Sequence, residues 1–461
     1  MEEETIKRLR EIVGEDWVIT DTEAIEDYLA DETSPIIRPK PAPDVVVVKP
    51  ATTEEVSKIL KLANEKRIPV YPRGGGTGLV GGCVPTQSGI VLSMERMKKV
   101  EIDEENLMAV CEAGVTLREL LDAVERAGLF FPPHPGDETA QVGGLVACNA
   151  GGVRAVKYGV FRNYVKGLEV VLPTGEVLNL GGKLIKNVAG YDLLQLMIGS
   201  EGTLGVITKA VLRLYPKPKA SATLVVAYDD RHEAIRTVPH ILQEGIIPLA
   251  IEYVERDLME KSAEKLGLRW PVEKGEVYLL IIVTGGSREE VYSMAERIDE
   301  VCQKHHPLDV LIVESRRKQE DILRIRGNIY LTLKPDTVDI LDVAVPPANI
   351  AKLMDAIDEI AKKYNAYIPM YGHAGDGNLH PHIMRKEAGG VDEKDVERVR
   401  DEIYSAAIKL GGTITAEHGI GKLRRRSLGK FLSEKEREIM RKIKAIFDPN
   451  NILNPEAAVP A

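Results

Sequence analysis

The sequence predicts an α+β protein built of two parts, and three observations predict it. Short β-branched runs alternate with amphipathic helical segments along the chain. Two prolines within the basic stretch at residues 214–220 mark a boundary. Beyond that boundary, the alternation is typical of an α+β domain with an antiparallel sheet. The 461 residues leave room for two or three domains of roughly 150 residues each.

The first part opens with a helical segment that reaches to about residue 37 and has an acidic face. A β-branched run at 44–48 predicts a strand, and Thr52 or Thr53 can cap the helix that follows it. A second strand at 68–71 completes a β-α-β unit and leads into a glycine-rich loop. Further strands are expected at 90–92, 108–112, 168–172, 177–180 and 206–214, with a helix at 117–127.

The second part predicts strands at 222–227, 249–253 and 277–284, and helices at 232–244, 255–266 and 289–305. A histidine-rich segment at 370–383 follows, then a helix near 395–410 and a helical tail that starts at Ser433 and stops at Pro449. The expected organisation has four segments. They are an N-terminal helical segment at 1–37, a first domain at 38–217, a second domain at 218–411, and a C-terminal segment at 412–461 that returns to the first domain.

Composition excludes several classes of protein. The net charge of −10 disfavours a dedicated nucleic-acid binder. No apolar run approaches the roughly 18–20 residues that a membrane helix needs. We therefore expect a cytoplasmic protein with no transmembrane segment, with membrane association through a partner left open. The chain has four cysteines, which are Cys83, Cys111, Cys148 and Cys302. Their irregular spacing disfavours both a disulfide framework and a four-cysteine iron–sulfur cluster.

Three glycine-rich segments carry the first chemical signal. The loop at 73–78 reads Arg-Gly-Gly-Gly-Thr-Gly, and consecutive N–H groups in such a loop can form an anion nest for a phosphate or pyrophosphate. The alternative is a tight surface turn. A dinucleotide fingerprint at 76–81 fails, because no helix opens at its third glycine. With further clusters at 134–152 and 199–207, the pattern suggests one extended ligand that is contacted mostly by backbone.

Read in order, these segments resemble a known family. Pro-Arg-Gly-Gly-Gly-Thr-Gly-Leu, Asn-Ala-Gly-Gly and Gly-Ser-Glu-Gly-Thr-Leu-Gly-Val-Ile-Thr resemble the FAD-linked oxidases of the vanillyl-alcohol oxidase/p-cresol methylhydroxylase superfamily. Gly-His-Ala-Gly-Asp-Gly-Asn-Leu-His and Glu-His-Gly are similar to its D-2-hydroxyacid dehydrogenase branch. The resemblance covers about residues 38–455. It implies a two-part FAD-binding domain of the vanillyl-alcohol oxidase type, with an inserted α+β substrate cap that has an antiparallel sheet.

The resemblance also implies the residues that contact the cofactor. The first loop would bind the FAD pyrophosphate, the second segment would line the flavin, and the third would lie near the adenine. FAD is expected to be noncovalent, because the first loop lacks the histidine that often carries a covalent link. The implied contacts are Arg73, Gly74, Gly75, Gly76, Thr77, Gly78, Leu79, Pro135, Gly136, Asp137, Thr139, Val142, Gly143, Gly144, Ala147, Gly151, Gly152, Glu201, Gly202, Gly205, Ile207 and Asn454.

A histidine and carboxylate cluster is the second chemical signal. His373 and His380 flank Ala-Gly-Asp-Gly-Asn-Leu, so two strand ends are expected to face each other across a glycine turn. With Glu417 from a separate segment, they form a metal-ligand set that suits Zn²⁺ first and also Mn²⁺ or Fe²⁺. His418 is then the candidate general base. His382, on the same side of a strand as His380, is a candidate substrate contact. The alternative is a set of satisfied polar residues in a loop.

A substrate carboxylate needs a fixed cation, and arginine can bind it through two hydrogen bonds. The resemblance points to Arg326, with Arg324 in reserve and Tyr330 as a neighbour. Members that act on 2-hydroxyglutarate carry a lysine shortly before the Asp-Val-Ala-Val-Pro stretch. Here the nearest lysine is Lys334, which favours a monocarboxylate such as D-lactate or glycolate.

These inferences predict an FAD-dependent, metal-assisted dehydrogenase that oxidises a small D-2-hydroxyacid to its 2-oxoacid. Electrons would pass to a separate acceptor, which is an iron–sulfur subunit, an electron-transfer flavoprotein or a quinone. A homodimer is left open. The alternatives are a D-2-hydroxyglutarate dehydrogenase and a noncatalytic flavin electron-transfer subunit. The basic run at 422–426 is interpreted as a solvated helix face, with a docking patch for the electron acceptor as the alternative.

Overall fold

The computed structural model describes residues 1–459, in which helices and strands are mixed along the chain. The strands are β1 (Val18–Ile19), β2 (Val45–Val48), β3 (Val70–Arg73), β4 (Gly89–Ser93), β5 (Val100–Asp103), β6 (Met108–Glu112), β7 (Leu129–Phe130), β8 (Val165–Val171), β9 (Val177–Gly181), β10 (Val206–Arg213), β11 (Tyr215–Pro216), β12 (Ala220–Tyr228), β13 (Ala250–Glu255), β14 (Val277–Gly285), β15 (Asp309–Val313), β16 (Thr337–Ile340), β17 (Val343–Ala344), β18 (Met370–His373) and β19 (Asn378–Met384).

The helices confirm the predicted α+β class. They are α1 (Glu3–Val13), α2 (Thr53–Lys66), α3 (Leu117–Arg126), α4 (Val142–Cys148), α5 (Ala155–Tyr158), α6 (Leu193–Met197), α7 (Arg231–Gln243), α8 (Arg256–Lys265), α9 (Arg288–Gln303), α10 (Arg316–Gly327), α11 (Ile329–Leu333), α12 (Ile350–Tyr364), α13 (Val396–Lys409), α14 (Arg425–Phe431) and α15 (Glu434–Phe447). Within residues 1–459, no helix has both the length and the apolar character that crossing a bilayer requires.

The chain divides into two compact units. The first unit comprises Met1–Ala150, Val160–Lys217 and the chain from Glu417 onward. The second unit comprises Gly151–Gly159 and Pro218–Ala416. The second unit therefore ends five residues beyond residue 411, where the sequence predicts its end. It also includes the short segment Gly151–Gly159, which the sequence assigns to the first domain.

The first unit contains a four-stranded sheet in the order β1-β2-β4-β3, in which β2 and β3 each pair in parallel with β4. Helix α2 begins after Thr52, whose side chain accepts a hydrogen bond from the Glu55 amide at 3.2 Å and so caps the helix. Its apolar face, with Ile59 and Leu60 fully buried, packs in the same core as this sheet. This β-α-β unit places the end of β3, and the loop that follows it, at the edge of the sheet.

Two further sheets complete the first unit. The larger has the order β5-β6-β10-β8-β9, in which every neighbouring pair is antiparallel. The smaller pairs β7 with β11 just before the chain leaves for the second unit. After the second unit the chain comes back through α14 and α15, and the Asn454 amide donates to the Val70 carbonyl at 2.8 Å. The C-terminal tail therefore lies against β3.

The second unit is built on an eight-stranded sheet in the order β15-β12-β14-β13-β18-β19-β16, with β17 also paired to β19. Neighbouring strands are antiparallel, as the sequence predicts. Strand β18 lies between β13 and β19, in the interior of the sheet. Helices α8, α10 and α11 share an apolar core with this sheet, in which Val254, Ile325 and Ile329 are at most 1% exposed.

The side chain of Asp448 holds the C-terminal tail in place, so its removal is predicted to destabilise the protein. Its buried carboxylate accepts the amides of Ile452 at 3.0 Å and Leu453 at 2.7 Å, and it pairs with Lys444 at 2.5 Å. Asp448→Ala leaves these buried donors without their acceptor. We expect the free energy of unfolding in urea to fall by about 2–4 kcal/mol.

The control for this prediction is Glu438→Ala, which removes an exposed partner of Lys442 on the same helix. Exposed pairs contribute little, so its urea midpoint should stay close to that of the wild type. Equal midpoints for Asp448→Ala and the wild type would contradict the account of the tail.

Candidate functional site

The glycine loop after β3 presents a row of backbone donors. Arg73 ends β3 in register with Ser93, and residues 74–78 then leave the sheet. Within residues 1–459, no acceptor receives a hydrogen bond from the amides of residues 74–78. Buried or half-buried amides rarely go without a partner, and Gly74, Gly76 and Thr77 are half-buried. This arrangement fits a bound phosphate or pyrophosphate, because successive N–H groups of such a loop bind anions.

The Arg73 side chain supports the loop from the opposite direction. Its guanidinium donates to the carbonyls of Asp27 at 2.8 Å and Ala30 at 2.7 Å, and it lies 3.2 Å from Cys83 Sγ. Gly76 sits directly against this guanidinium and has a φ of +70°, so a side chain there would meet both strain and a clash. The structure therefore uses Arg73 to hold the loop, and the loop backbone remains the part suited to an anion.

The second glycine segment packs closely on one side and faces open space on the other. The Gly143 amide donates to the Ala113 carbonyl at 2.9 Å, and a Cβ on Gly143 would lie 2.7 Å from that of Ala113. A Cβ on Gly144 would meet nothing within 4 Å. Asp137 and Thr139 form a local turn, with the Thr139 amide 2.8 Å from Asp137 Oδ1. The structure therefore has open space beside Gly144, while Gly143 packs closely against Ala113.

Asn454 and Glu201 join the segments of the first unit around this loop. The Asn454 amide group donates to the carbonyls of Gly82 at 3.0 Å and Glu201 at 2.9 Å. The Glu201 carboxylate accepts the amides of Ile420 at 2.9 Å and Gly421 at 2.7 Å. Burial raises the pKa of Glu201 despite these two hydrogen bonds. Both side chains, predicted as cofactor contacts, are engaged within the protein: Asn454 links residue 82 to the third glycine segment, and Glu201 links that segment to residues 420 and 421.

The basic run at residues 422–426 differs from its interpretation as a solvated helix face. Lys422 donates to the Gly82 carbonyl at 2.9 Å and to Asn454 Oδ1 at 2.7 Å, and burial lowers its pKa to about 8. Arg424 is only 3% exposed. A solvated helix face is therefore wrong for these two residues. The local pattern of basic residues could not reveal that the chain turns inward here, because the two partners of Lys422 lie 340 and 32 positions away along the chain.

In the second unit, β18 and β19 bring two of the predicted metal ligands together. The strands form a hairpin in which His373 pairs with Asn378 and Tyr371 pairs with His380. The imidazole centroids of His373 and His380 lie 5.3 Å apart in an edge-to-face arrangement, and both rings are buried. Gly377 closes the turn at a φ of +91°, where a Cβ would collide with the Val345 carbonyl.

Two carboxylates that are not among the predicted site residues, those of Glu252 and Asp342, face the Nδ1 atoms of these histidines. Glu252 Oε1 is 2.7 Å from His373 Nδ1, and Asp342 Oδ1 is 3.9 Å from His380 Nδ1. Burial alone would raise the pKa of Glu252, but the charges of His373 and Arg326 outweigh it and the pKa is lowered. An ionised carboxylate on Nδ1 leaves Nε2 of His373 as the nitrogen for a metal, which is the arrangement common at metal-binding histidines. These residues fit a divalent ion.

Asp342 also binds the segment that leads to Glu417 and His418. Its Oδ2 accepts the Thr415 hydroxyl at 2.7 Å and the Ala416 amide at 2.8 Å, while Oδ1 accepts from the Asn378 side chain at 3.0 Å. Glu417 is the next residue along the chain and belongs to the first unit, where its carboxylate lies 3.8 Å from His418 Nε2. A signal for Asp342 existed in the sequence, since this acid stands between the apolar residues Leu341 and Val343, and a buried acid takes hydrogen-bond partners.

Arg326 is buried and pairs with Glu252, the same carboxylate that contacts His373. Helix α10 turns Arg326 inward and leaves Arg324 exposed. Arg326 Nη2 is 2.5 Å from Glu252 Oε2, and its guanidinium carbon is 4.8 Å from the centre of the Tyr371 ring. Within residues 1–459, Arg326 Nε is buried and has no hydrogen-bond acceptor. A buried arginine donor in this state suits a carboxylate ligand.

His382 is fully buried behind Tyr371. Its Nδ1 lies 2.9 Å from the Thr337 hydroxyl, its Nε2 lies 3.4 Å from the Tyr371 hydroxyl, and the Tyr330 ring is 6.5 Å away. Tyr371 in turn contacts the rings of both His380 and His382. These positions favour a supporting contact through Tyr371 over direct contact of His382 with a substrate.

Comparison with known proteins identifies the class. Residues 44–181 match the FAD binding domain, and residues 217–457 match the family described as FAD linked oxidases, C-terminal domain. The fold is that of p-cresol methylhydroxylase, whose substrate-bound crystal structure aligns with a TM-score of 0.81 at 17% identity, over 99% of this chain and 96% of that one. The chain belongs to the FAD-linked oxidase family and is an FAD-linked oxidoreductase.

Particular relatives narrow the class further. The chain is 46% identical to the D-lactate dehydrogenase of Archaeoglobus fulgidus, over 94% of this chain and 95% of that protein. It is 41% identical to the glycolate oxidase subunit GlcD of Bacillus subtilis, over 90% of this chain and 88% of that protein. The protein is thus similar, over nearly its whole length, to flavoproteins of the D-lactate dehydrogenase and glycolate oxidase type.

The glycine loop gives a prediction for cofactor binding. A Cβ on Gly76 would lie within van der Waals contact of the Arg73 guanidinium, so Gly76→Ala displaces the group that holds the loop. We expect the purified variant to lose most of its FAD, measured as flavin absorbance per protein. Gly128→Ala is the control, since Gly128 has the same φ of +70° and open space around its Cβ. Full flavin content in Gly76→Ala would contradict the role of the loop.

Proposed function

We propose that the protein oxidises a small D-2-hydroxyacid, D-lactate or glycolate, to the corresponding 2-oxoacid with noncovalent FAD and a divalent metal ion. The observation that carries the proposal is the buried group of His373, His380, Glu252 and Arg326, because it combines metal-ligand chemistry with a carboxylate-binding cation. The similarity to a D-lactate dehydrogenase and to a glycolate oxidase subunit supports the same substrate class.

His373, His380 and Glu417 are the proposed metal ligands. Imidazole and carboxylate donors favour Zn²⁺, and they also accept Mn²⁺ or Fe²⁺. Glu252 supports this assignment, because it turns His373 so that Nδ1 faces an acid. Glu417 completes the proposed set as the carboxylate of the Glu-His-Gly motif.

Arg326 and His418 carry the remaining roles. Arg326 would bind the substrate carboxylate through its unsatisfied Nε, and His418 would accept the proton of the substrate hydroxyl. When bound, FAD supplies an acceptor for two electrons and the metal ion supplies a Lewis acid for the hydroxyl oxygen. The product is the 2-oxoacid, and the two electrons leave on the flavin.

The number of buried cations supports a monocarboxylate. Arg326 is buried, whereas Arg324 on the same helix and the nearby Lys334 are exposed. Among these three cations only Arg326 is buried, and one cation matches the single carboxylate of lactate or glycolate. A dicarboxylate such as D-2-hydroxyglutarate would need a second cation for its far end.

The cysteines support a separate electron acceptor. All four are free thiols, and Cys111 and Cys302 are buried in the interiors of different units. No cluster of thiolates for an iron–sulfur centre forms within residues 1–459. We propose that the reduced flavin passes its electrons to an iron–sulfur subunit, an electron-transfer flavoprotein or a quinone.

The direct test is anaerobic flavin reduction with a panel of 2-hydroxyacids. We expect D-lactate or glycolate to bleach the flavin, L-lactate to fail, and D-2-hydroxyglutarate to react more slowly. Removal of the metal with a chelator should abolish bleaching, and added Zn²⁺, Mn²⁺ or Fe²⁺ should restore it. A flavin that no 2-hydroxyacid reduces would favour the noncatalytic electron-transfer subunit.

His373→Ala separates the metal from the flavin. The variant removes one proposed metal ligand in the second unit, so we expect FAD content to stay normal while turnover of D-lactate falls at least about 100-fold. His232→Ala is the control, because the His232 side chain is well exposed and its imidazole bonds to an exposed acid, Asp355, at 3.1 Å. Turnover equal to that of the control would contradict the metal assignment.

A further inference from the structure

Glu252 is a charged residue in the interior of a buried strand. It lies on β13, where the neighbouring residues Ile251 and Tyr253 are fully buried, and it is itself 2% exposed. A carboxylate at such a position is costly unless charged partners and hydrogen bonds compensate for the lost water. The partners of Glu252 therefore indicate why an acid occupies this position.

Both oxygens of Glu252 are engaged, each by a residue with a proposed role. Oε1 is 2.7 Å from His373 Nδ1 on β18, and Oε2 is 2.5 Å from Arg326 Nη2 on α10. The pairing of Tyr253 with Gly372 fixes β13 beside β18, so the backbone holds the first contact in register. One side chain thus bridges three elements of the second unit.

We propose that Glu252 is a positioning residue that couples metal binding to substrate recognition. Its Oε1 accepts the Nδ1–H of His373 and so keeps the lone pair on Nε2, the form that binds a metal. Its Oε2 pairs with Nη2 of Arg326 and so fixes the position of the guanidinium. The inference rests on the proposed function, and it adds a residue to which neither the histidine motif nor the arginine motif points.

The bridge explains why glutamate is needed rather than an isosteric amide. A carboxylate offers two acceptors, whereas a glutamine offers one acceptor and one donor group. In Glu252→Gln, the NH₂ group must face either His373 Nδ1–H or the guanidinium, both of which are donors. One of the two contacts is lost in either orientation, with little change in volume.

The test uses the full-length protein with FAD and measures two quantities for Glu252→Gln. Zn²⁺ affinity, from competition with a chromophoric chelator, should fall about 10–100-fold. The KM for D-lactate should rise about tenfold when metal is saturating, because the arginine is no longer held. FAD content should not change. Glu252→Asp is the second variant, which keeps the charge but is too short to reach both partners, and it should show the same pattern.

Asp339→Asn is the matched control for loss of a buried ion pair. Asp339 is 2% exposed and pairs with the buried Arg400 at 3.0 Å, in the same unit. It should lower thermal stability as Glu252→Gln does, while Zn²⁺ affinity and KM stay within about threefold of wild type. If Asp339→Asn shifts both quantities as strongly, Glu252 acts only through stability and the inference is overturned.

Failure of this inference differs from failure of the proposed function. A wild-type protein whose flavin reduction ignores chelators overturns both. A metal-dependent wild type, combined with Glu252→Gln and Glu252→Asp variants whose Zn²⁺ affinity and KM are unchanged, overturns the inference alone. Parallel losses in both quantities for both variants support it.

Discussion

The ion pair and hydrogen bond of the buried Glu252 carboxylate are the constraint on which the candidate site depends. The carboxylate lies in the interior of an eight-stranded sheet, where a lone charge would be strongly destabilising. Its two partners, His373 and Arg326, come from β18 and α10: His373 forms a hydrogen bond with one oxygen, and Arg326 forms an ion pair with the other. The same contacts that make the acid tolerable therefore fix one imidazole and one guanidinium, which are the groups proposed to bind a metal ion and the substrate carboxylate.

In the first unit, the candidate cofactor site is formed by backbone groups rather than by charged side chains. A large anionic cofactor is suited to a loop whose backbone amides have no protein acceptor, and residues 74–78 provide that loop. The surrounding side chains brace it: Arg73 holds the N-terminal segment, while Asn454, Glu201 and Lys422 join the C-terminal tail to the glycine segments. Binding of the cofactor through backbone amides would account for the run of glycines in this loop.

Local sequence patterns predicted some elements well. Examples are strand β6 at residues 108–112 and the C-terminal helix that begins after Ser433. The glycine turn between His373 and His380 was also predictable, because glycines exclude a helix there. Glu252 was not, since a single acid within an apolar strand carries no sign of its partners 74 and 121 residues away. The inward turn of Lys422 was missed for the same reason. Long-range charge pairs are set by topology, which periodicity does not encode.

The most direct test of the account is anomalous scattering at the zinc absorption edge, from crystals of the FAD-loaded protein soaked in Zn²⁺. The account predicts one strong peak about 2.0–2.1 Å from the Nε2 atoms of His373 and His380. A peak elsewhere, or fully loaded crystals with no peak beside these two imidazoles, would contradict the claim that this flavoprotein works with a metal ion.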